Sequence, residues 1–221
     1  MLNENLMVLL DVLKCGLNGK TFDKKIENEK EFYYLSRDNG LIGLIYESVD
    51  FSLQSEKLKT FMNRDFLAFV SSDEKQRNLI DLLMEIFDET KIKNVFLKGS
   101  VLKFLYPKTY NRGMGDIDVL VEDENLDVVD KVLKENGFIL EHLSEQHNVY
   151  SYMDLSVEVH PRLVRDFNNR FEKLFDKPWD EVLLVEGFHY KFHHEYIICY
   201  LLYHLAKHLG GLATLFRTIF I

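Results

Sequence analysis

The chain contains no apolar run approaching the roughly 18 to 20 uncharged residues that a membrane span requires, and residues 1–10 lack the basic start of a secretory signal. Neither a membrane span nor an export leader is therefore expected. Cysteine is scarce: Cys15 and Cys199 are the only two in 221 residues, both in apolar sequence surroundings. Two thiols make no disulfide framework, so a reducing cytoplasm is the expected compartment, with Cys199 read as a buried, inert small hydrophobe. Positive charge is also in deficit, with 27 Lys and Arg against 36 Asp and Glu and a net charge of −9. A protein that grips long DNA or RNA neutralises phosphates with a basic surface. The balance here disfavours long nucleic acid and favours a small-molecule or protein substrate. Internal repeats and low-complexity segments are missing as well.

What is present is an ordinary globular composition, 47% hydrophobic and 29% charged. Residues 1–90 carry apolar residues at helical spacing: Leu6, Leu9, Val12 and Leu13, then a stop at Gly16 and Gly19. Leu58, Met62, Phe66 and Phe69 continue the pattern, and a last long helix is expected over 72–90. From residue 93 the texture changes. Strand-like runs are expected at 94–98, 116–121, 138–141, 148–152 and 155–160, with a helix over 125–136 closed by Gly137. Beyond Pro161 the chain reads as helical again, most clearly over 193–209. The layout is an α+β chain, in which a small mixed sheet lies between helical regions at 1–90 and 164–221.

The chemistry concentrates in the second of these strands. Side chains alternate across a strand, so Asp116 and Asp118 share one face while Ile117, Val119 and Val121 take the other. Two adjacent carboxylates raise each other's pKa and cost stability unless a cation sits between them. An isolated D-x-D is more often a solvated strand edge, but two further features shift the balance. A Gly99-Ser100 turn precedes this strand between a strand and a helix. Glycine permits close backbone approach, and amides at a helix start with a serine hydroxyl favour phosphate oxygens. Later in the chain, Val157-Glu158-Val159-His160 places a glutamate and a histidine on one face of an apolar-flanked strand. If that strand lies beside the acid doublet, Asp116, Asp118 and Glu158 form a three-carboxylate cluster. Such a cluster suits Mg²⁺, which takes oxygen ligands and is completed by substrate phosphates. Two such ions can stabilise both oxygens of an in-line displacement.

The ordered set Lys98-Gly99-Ser100, Leu105-Tyr106-Pro107, Arg112-Gly113-Met114-Gly115-Asp116-Ile117-Asp118-Val119-Leu120-Val121 and Val157-Glu158-Val159-His160 resembles the uncharacterised nucleotidyltransferase family of the DNA polymerase β-like superfamily, over residues 93–162. The resemblance implies a nucleotidyltransferase core at 91–163. It implies that Gly99 and Ser100 contact a triphosphate and that Asp116 and Asp118 bind two Mg²⁺, with Mn²⁺ an alternative. Glu158 would complete the metal site and activate an acceptor hydroxyl. The expected reaction moves a nucleoside monophosphate from an NTP, ATP first, to a hydroxyl of a small molecule or protein, releasing pyrophosphate. The interval from Ser100 to Asp116 is longer than in the superfamily's simplest members, so the loop over 106–115 is expected to reshape the pocket. A non-catalytic binding module, such as the antitoxin half of a two-component pair, is the alternative from another class, and phosphohydrolysis by the same cluster a third.

Around this set stand secondary candidates. Lys98 either contacts a phosphate or ends a strand. Arg112 either clamps phosphate bidentately or pairs with the acidic cluster. Lys103 is expected on a solvated helix face. His160 either orients Glu158 or is structural. His204 and His208, one turn apart, lack the glutamate of H-E-x-x-H and are expected to line a polar groove rather than bind metal. Trp179 is expected to pack at a domain junction. The apolar end over 215–221 is expected to dock on the body or on a second chain, a homo-oligomer or partner protein, unless the natural chain continues.

Overall fold

The computed structural model describes residues 4–144, 147–164 and 172–209, with the side chains of 172 and 206–209 left aside. The stretch over 215–221 and the side chain of His208 lie outside the described residues. The chain divides into two compact units. Among the described residues, one comprises those up to 75 together with 102–114, and the other comprises 76–101 and everything from 115 onward.

The first unit is helical. Helix α1 (Glu4–Leu17) buries Leu9, Val12 and Leu13. Helix α2 (Glu29–Asp38) starts at Asn28, whose side chain accepts the Glu31 amide at 3.3 Å, and turns Phe32 and Tyr33 inward. The short α3 (Ile42–Ile45) is wholly buried. Helix α4 (Glu56–Glu89), whose residues from 76 onward count with the second unit, is one continuous helix of 34 residues, where the apolar pattern suggested two stretches. No glycine or proline interrupts it, so backbone hydrogen bonding carries through the polar Ser71-Ser72-Asp73 segment. Leu9, Val12, Phe32, Ile42, Ile45 and Met62 form the core of this unit.

Within the same unit the loop over 102–114 corrects one expectation. Lys103 does not face solvent: its side chain is fully buried, with Nζ 2.8 Å from Asp73 Oδ1, while Thr109 Oγ1 donates to Asp73 Oδ2 at 2.7 Å. A buried carboxylate demands a paired cation, and that demand overrides the preference of lysine for water.

The second unit holds a seven-stranded sheet, built from β1 (Asn94–Phe96), β2 (Ile117–Val121), β3 (Ile139–Leu143), β4 (Asn148–Tyr152), β5 (Leu155–His160), β6 (Val182–Glu186) and β7 (His189–Phe192) in the order β3-β4-β5-β2-β1-β7-β6. The β2–β5 and β1–β7 pairs are parallel and the other four are antiparallel, so the α+β class and the mixed sheet expected from sequence are what the chain forms. Every residue of β2 is buried, as its central place requires. Helix α6 (Leu126–Glu135) presents Val129, Val132 and Leu133 to the core, and Tyr150 Oη of β4 donates to its Asp130 at 3.1 Å. Another cluster gathers Val95, Leu97 and Leu120 of the sheet region with Phe175, with Phe192 of β7, and with Tyr200 of helix α7 (His194–Leu209).

Strands β6 and β7 fall in the stretch that periodicity left as helical. The exposed run Leu183-Leu184-Val185 does not alternate, because β6 is an edge strand. Gly187 turns the hairpin with φ at 49°, and a Cβ there would lie 2.3 Å from Asp88 Oδ1. That carboxylate instead accepts the Phe188 amide at 2.8 Å, tying the hairpin to the end of α4. Trp179 is half-buried within the second unit, edge-on to Tyr190 at 6.5 Å. Cys199 is exposed, not buried: α7 turns Tyr200 inward, and the preceding position points about 100° away.

Candidate active site

Register brings the acids together. Strand β5 lies parallel to β2 with Asp118 paired to Glu158 and Leu120 to His160. Asp118, Leu120, Glu158 and His160 therefore project from one face of adjacent strands, and Asp116 precedes β2 on the same alternation. One ligand atom from each of Asp116, Asp118 and Glu158 lies within 4.8 Å of the others. Asp118 is buried to 2% exposure, while Asp116 and Glu158 are half-buried and reachable.

Two cationic groups meet this cluster. Lys98 Nζ stands 2.6 Å from Asp118 Oδ1. His160 Nε2 stands 2.9 Å from the same oxygen and 3.3 Å from Glu158 Oε2. A ring nitrogen between two carboxylate oxygens carries a proton, so His160 bridges Asp118 and Glu158 as a donor. Burial alone would lower the His160 pKa, but the hydrogen bonds it donates to Asp118 and Glu158 outweigh it and hold the imidazole above its ordinary value. The hydrogen bond from His160 pulls Glu158 down to about 2. Asp116 is pushed up to about 6 by burial, then by the charges of Asp118 and Glu158, against a smaller lowering by a backbone hydrogen bond and by Lys98. Neighbouring carboxylates are thus split into a firmly ionised one and a reluctant one.

The Gly99-Ser100 turn opens α5 (Gly99–Leu102), both residues being buried. Lys98 reaches it in the left-handed region, φ 46°, which swings its side chain onto Asp118. The Ser100 amide donates to Leu97 O at 3.1 Å and the Val101 amide to Lys98 O at 3.2 Å, so these two amides are already engaged in the turn. Arg112 belongs to the other unit, where burial lowers its pKa and a hydrogen bond with Tyr106 opposes that effect. His204 is half-buried on α7 with its ring 6.3 Å from that of Tyr200.

Two residues at this place escaped sequence reasoning. Tyr200 is 3% exposed, and its pKa is raised first by burial and then by the charges of Asp118 and Glu158. His147 has Nε2 3.8 Å from Glu158 Oε1. No local pattern marks His147, because its position follows from the β4–β5 register alone.

The sequence profile described as "Uncharacterised nucleotidyltransferase" matches residues 26–219. No curated protein matches the chain. Among solved structures, the solution structure of the antibiotic-resistance factor ANT(2'')-Ia is similar, with a TM-score of 0.50 and 13% identity, covering 67% of this chain and 81% of that one. At that identity the likeness is one of fold.

Proposed function

Because the chain belongs to the uncharacterised nucleotidyltransferase family, we propose that it moves a nucleoside monophosphate from an NTP, ATP first, to a hydroxyl of a small molecule or protein with release of pyrophosphate. The observation that carries this reading is the convergence of Asp116, Asp118 and Glu158 on paired parallel strands. The donor set fits Mg²⁺: three hard oxygen ligands, two of them reachable, which leave positions for phosphate oxygens. Asp116, Asp118 and Glu158 would hold two such ions. Once bound, they would supply charge neutralisation at the reacting phosphate and lower the pKa of a coordinated hydroxyl.

The chain's own groups do the rest. At the Gly99-Ser100 turn, Gly99 would permit close approach of the far phosphates and the Ser100 hydroxyl would contact them. Lys98 is placed to exchange its Asp118 partner for a phosphate oxygen, since an ammonium on a flexible stem is an adaptable point charge. Glu158, held ionised by His160, would accept a hydrogen bond from the acceptor hydroxyl and orient it. So acidic a group suits alignment and metal ligation better than proton storage. The hydroxyl oxygen attacks the α-phosphorus and gives up its proton to solvent water, the α–β bridging P–O bond breaks, and pyrophosphate leaves with that electron pair.

The test is incubation with labelled NTPs and Mg²⁺. Pyrophosphate release with label transfer supports the reading, orthophosphate release points to hydrolysis, and binding without release points to a non-catalytic module. Asp116→Asn and Asp118→Asn are expected to abolish Mg²⁺-dependent ATP binding with the fold intact. Undiminished Mg-ATP affinity in both variants would refute the assignment.

A further inference from the structure

The acid cluster has a second side. In the antiparallel β4–β5 pair Asn148 faces Val159 and Val149 faces Glu158, so one step further along the same register His147 faces His160. Glu158 lies two residues before His160 and hence on the same sheet face. The outcome is a compact group: His147 Nε2 is 3.8 Å from Glu158 Oε1, His160 Nε2 is 3.3 Å from Glu158 Oε2, and the imidazole centroids are 5.1 Å apart. One ligand atom from each of the three lies within 4.8 Å of the others. His147 is fixed at its backbone by Ser144, whose Oγ accepts its amide at 3.2 Å and donates to its carbonyl at 2.8 Å.

We propose that His147, Glu158 and His160 form a binding site for a first-row transition ion of the Zn²⁺ type, distinct in ligand chemistry from the oxygen-only set of Asp116, Asp118 and Glu158. Around a tetrahedral Zn²⁺ with bonds of about 2.0–2.1 Å, ligand atoms sit about 3.4 Å apart. The glutamate–histidine separations lie near that value, 3.8 Å from His147 Nε2 to Oε1 and 3.3 Å from His160 Nε2 to Oε2, one to each oxygen of the carboxylate. Two imidazoles and one carboxylate suit Zn²⁺ and related ions and not Mg²⁺, which takes oxygen ligands. His147 and Glu158 are 25% and 21% exposed at their side chains, so the group can be reached from solvent and leaves a fourth position for water. Glu158 belongs to both groups, so an ion on the histidine side competes with Asp116 and Asp118 for it.

The experiment measures Zn²⁺ affinity of the metal-free full chain against a chromogenic chelator, in a large excess of Mg²⁺, with Co²⁺ substitution to read nitrogen ligation from visible d–d absorption. Wild type is expected to bind one Zn²⁺. Removing a mere outer-shell partner of a metal site costs about 10–100-fold in affinity, so His147→Ala, which deletes a ligand, is expected to lose at least tenfold along with the d–d bands. Asp116→Asn is expected to keep Zn²⁺ binding while losing Mg²⁺-dependent nucleotide binding. The proposal is overturned if His147→Ala binds Zn²⁺ as tightly as wild type, or if Asp116→Asn loses as much Zn²⁺ affinity as His147→Ala, which would place the ion among the aspartates. Failure of the nucleotidyl-transfer reading appears separately, in the Mg-ATP measurement on Asp116→Asn.

Discussion

Lys98→Met is the most informative single perturbation of the acid cluster. The ammonium sits 2.6 Å from Asp118 Oδ1, and the two side chains are 20% and 2% exposed. In the nucleotide-free protein it neutralises the carboxylate that a metal ion would need, so ion and lysine compete for one oxygen. A hydrogen bond to a charged group contributes about 1.5–3 kcal/mol net, and about 1.4 kcal/mol is tenfold in affinity. Methionine keeps the unbranched stem, one atom shorter and without the charge, while leaving His160 on Asp118 at 2.9 Å. Removing the competitor is therefore expected to tighten Mn²⁺ binding without nucleotide by about tenfold or more, read by the loss of free-Mn²⁺ signal in electron paramagnetic resonance. The same variant is expected to weaken Mg-ATP binding, because the nearest cation at the Gly99-Ser100 turn is gone. Opposite signs for ion alone and for nucleotide are the signature. Unchanged or weaker Mn²⁺ binding in Lys98→Met refutes the idea that the lysine holds a place a metal ion takes.

Further outcomes concern stability and pH. Lys103→Met leaves Asp73 buried without its cation and should cost about 3–5 kcal/mol of stability in urea unfolding, whereas Asp73→Asn combined with Lys103→Met should recover part of the loss; a single-variant cost under about 1 kcal/mol would contradict the pairing seen at 2.8 Å. Asp116, raised to about 6, must lose its proton to ligate, so Mg²⁺ affinity by titration calorimetry should climb as pH rises through about 6, and Asp116→Asn should abolish that dependence. The linked stabilities run in opposite directions. A carboxyl raised when folded makes its contribution less favourable as pH rises from about 4 toward 6, while Glu158, lowered to about 2, stabilises above its unfolded value near 4.3 and loses that contribution as pH falls toward 2.

Local pattern carried a good deal of this protein. The alternation around Asp116-Ile117-Asp118-Val119 marks a strand whose apolar face is buried, and Ile117, Val119 and Val121 are at most 2% exposed. The Gly99-Ser100 pair does follow a strand, and it forms the first two residues of the short helix α5. Helical spacing found α1, α6 and α7, and failed to show that α4 runs unbroken, since apolar periodicity lapses wherever a helix face turns to water. The same logic hid β6, an edge strand whose exposed leucines do not alternate.

Chain-distant pairing was beyond any such reading. Asp118 and Glu158 meet because β5 docks parallel to β2 at one register, and His147 faces His160 because β4 returns antiparallel to β5. A shift of one residue in either pair would turn these side chains to the opposite face. Lys103 offered the same lesson from the other unit, since only tertiary contact supplied the buried aspartate that makes a buried lysine tolerable. Composition and periodicity determined which residue types the chain could bring to bear and on which faces of their own elements. Which of them share one pocket was decided by strand register, where the free energy comes from burying apolar faces and the acids are carried along with their strands.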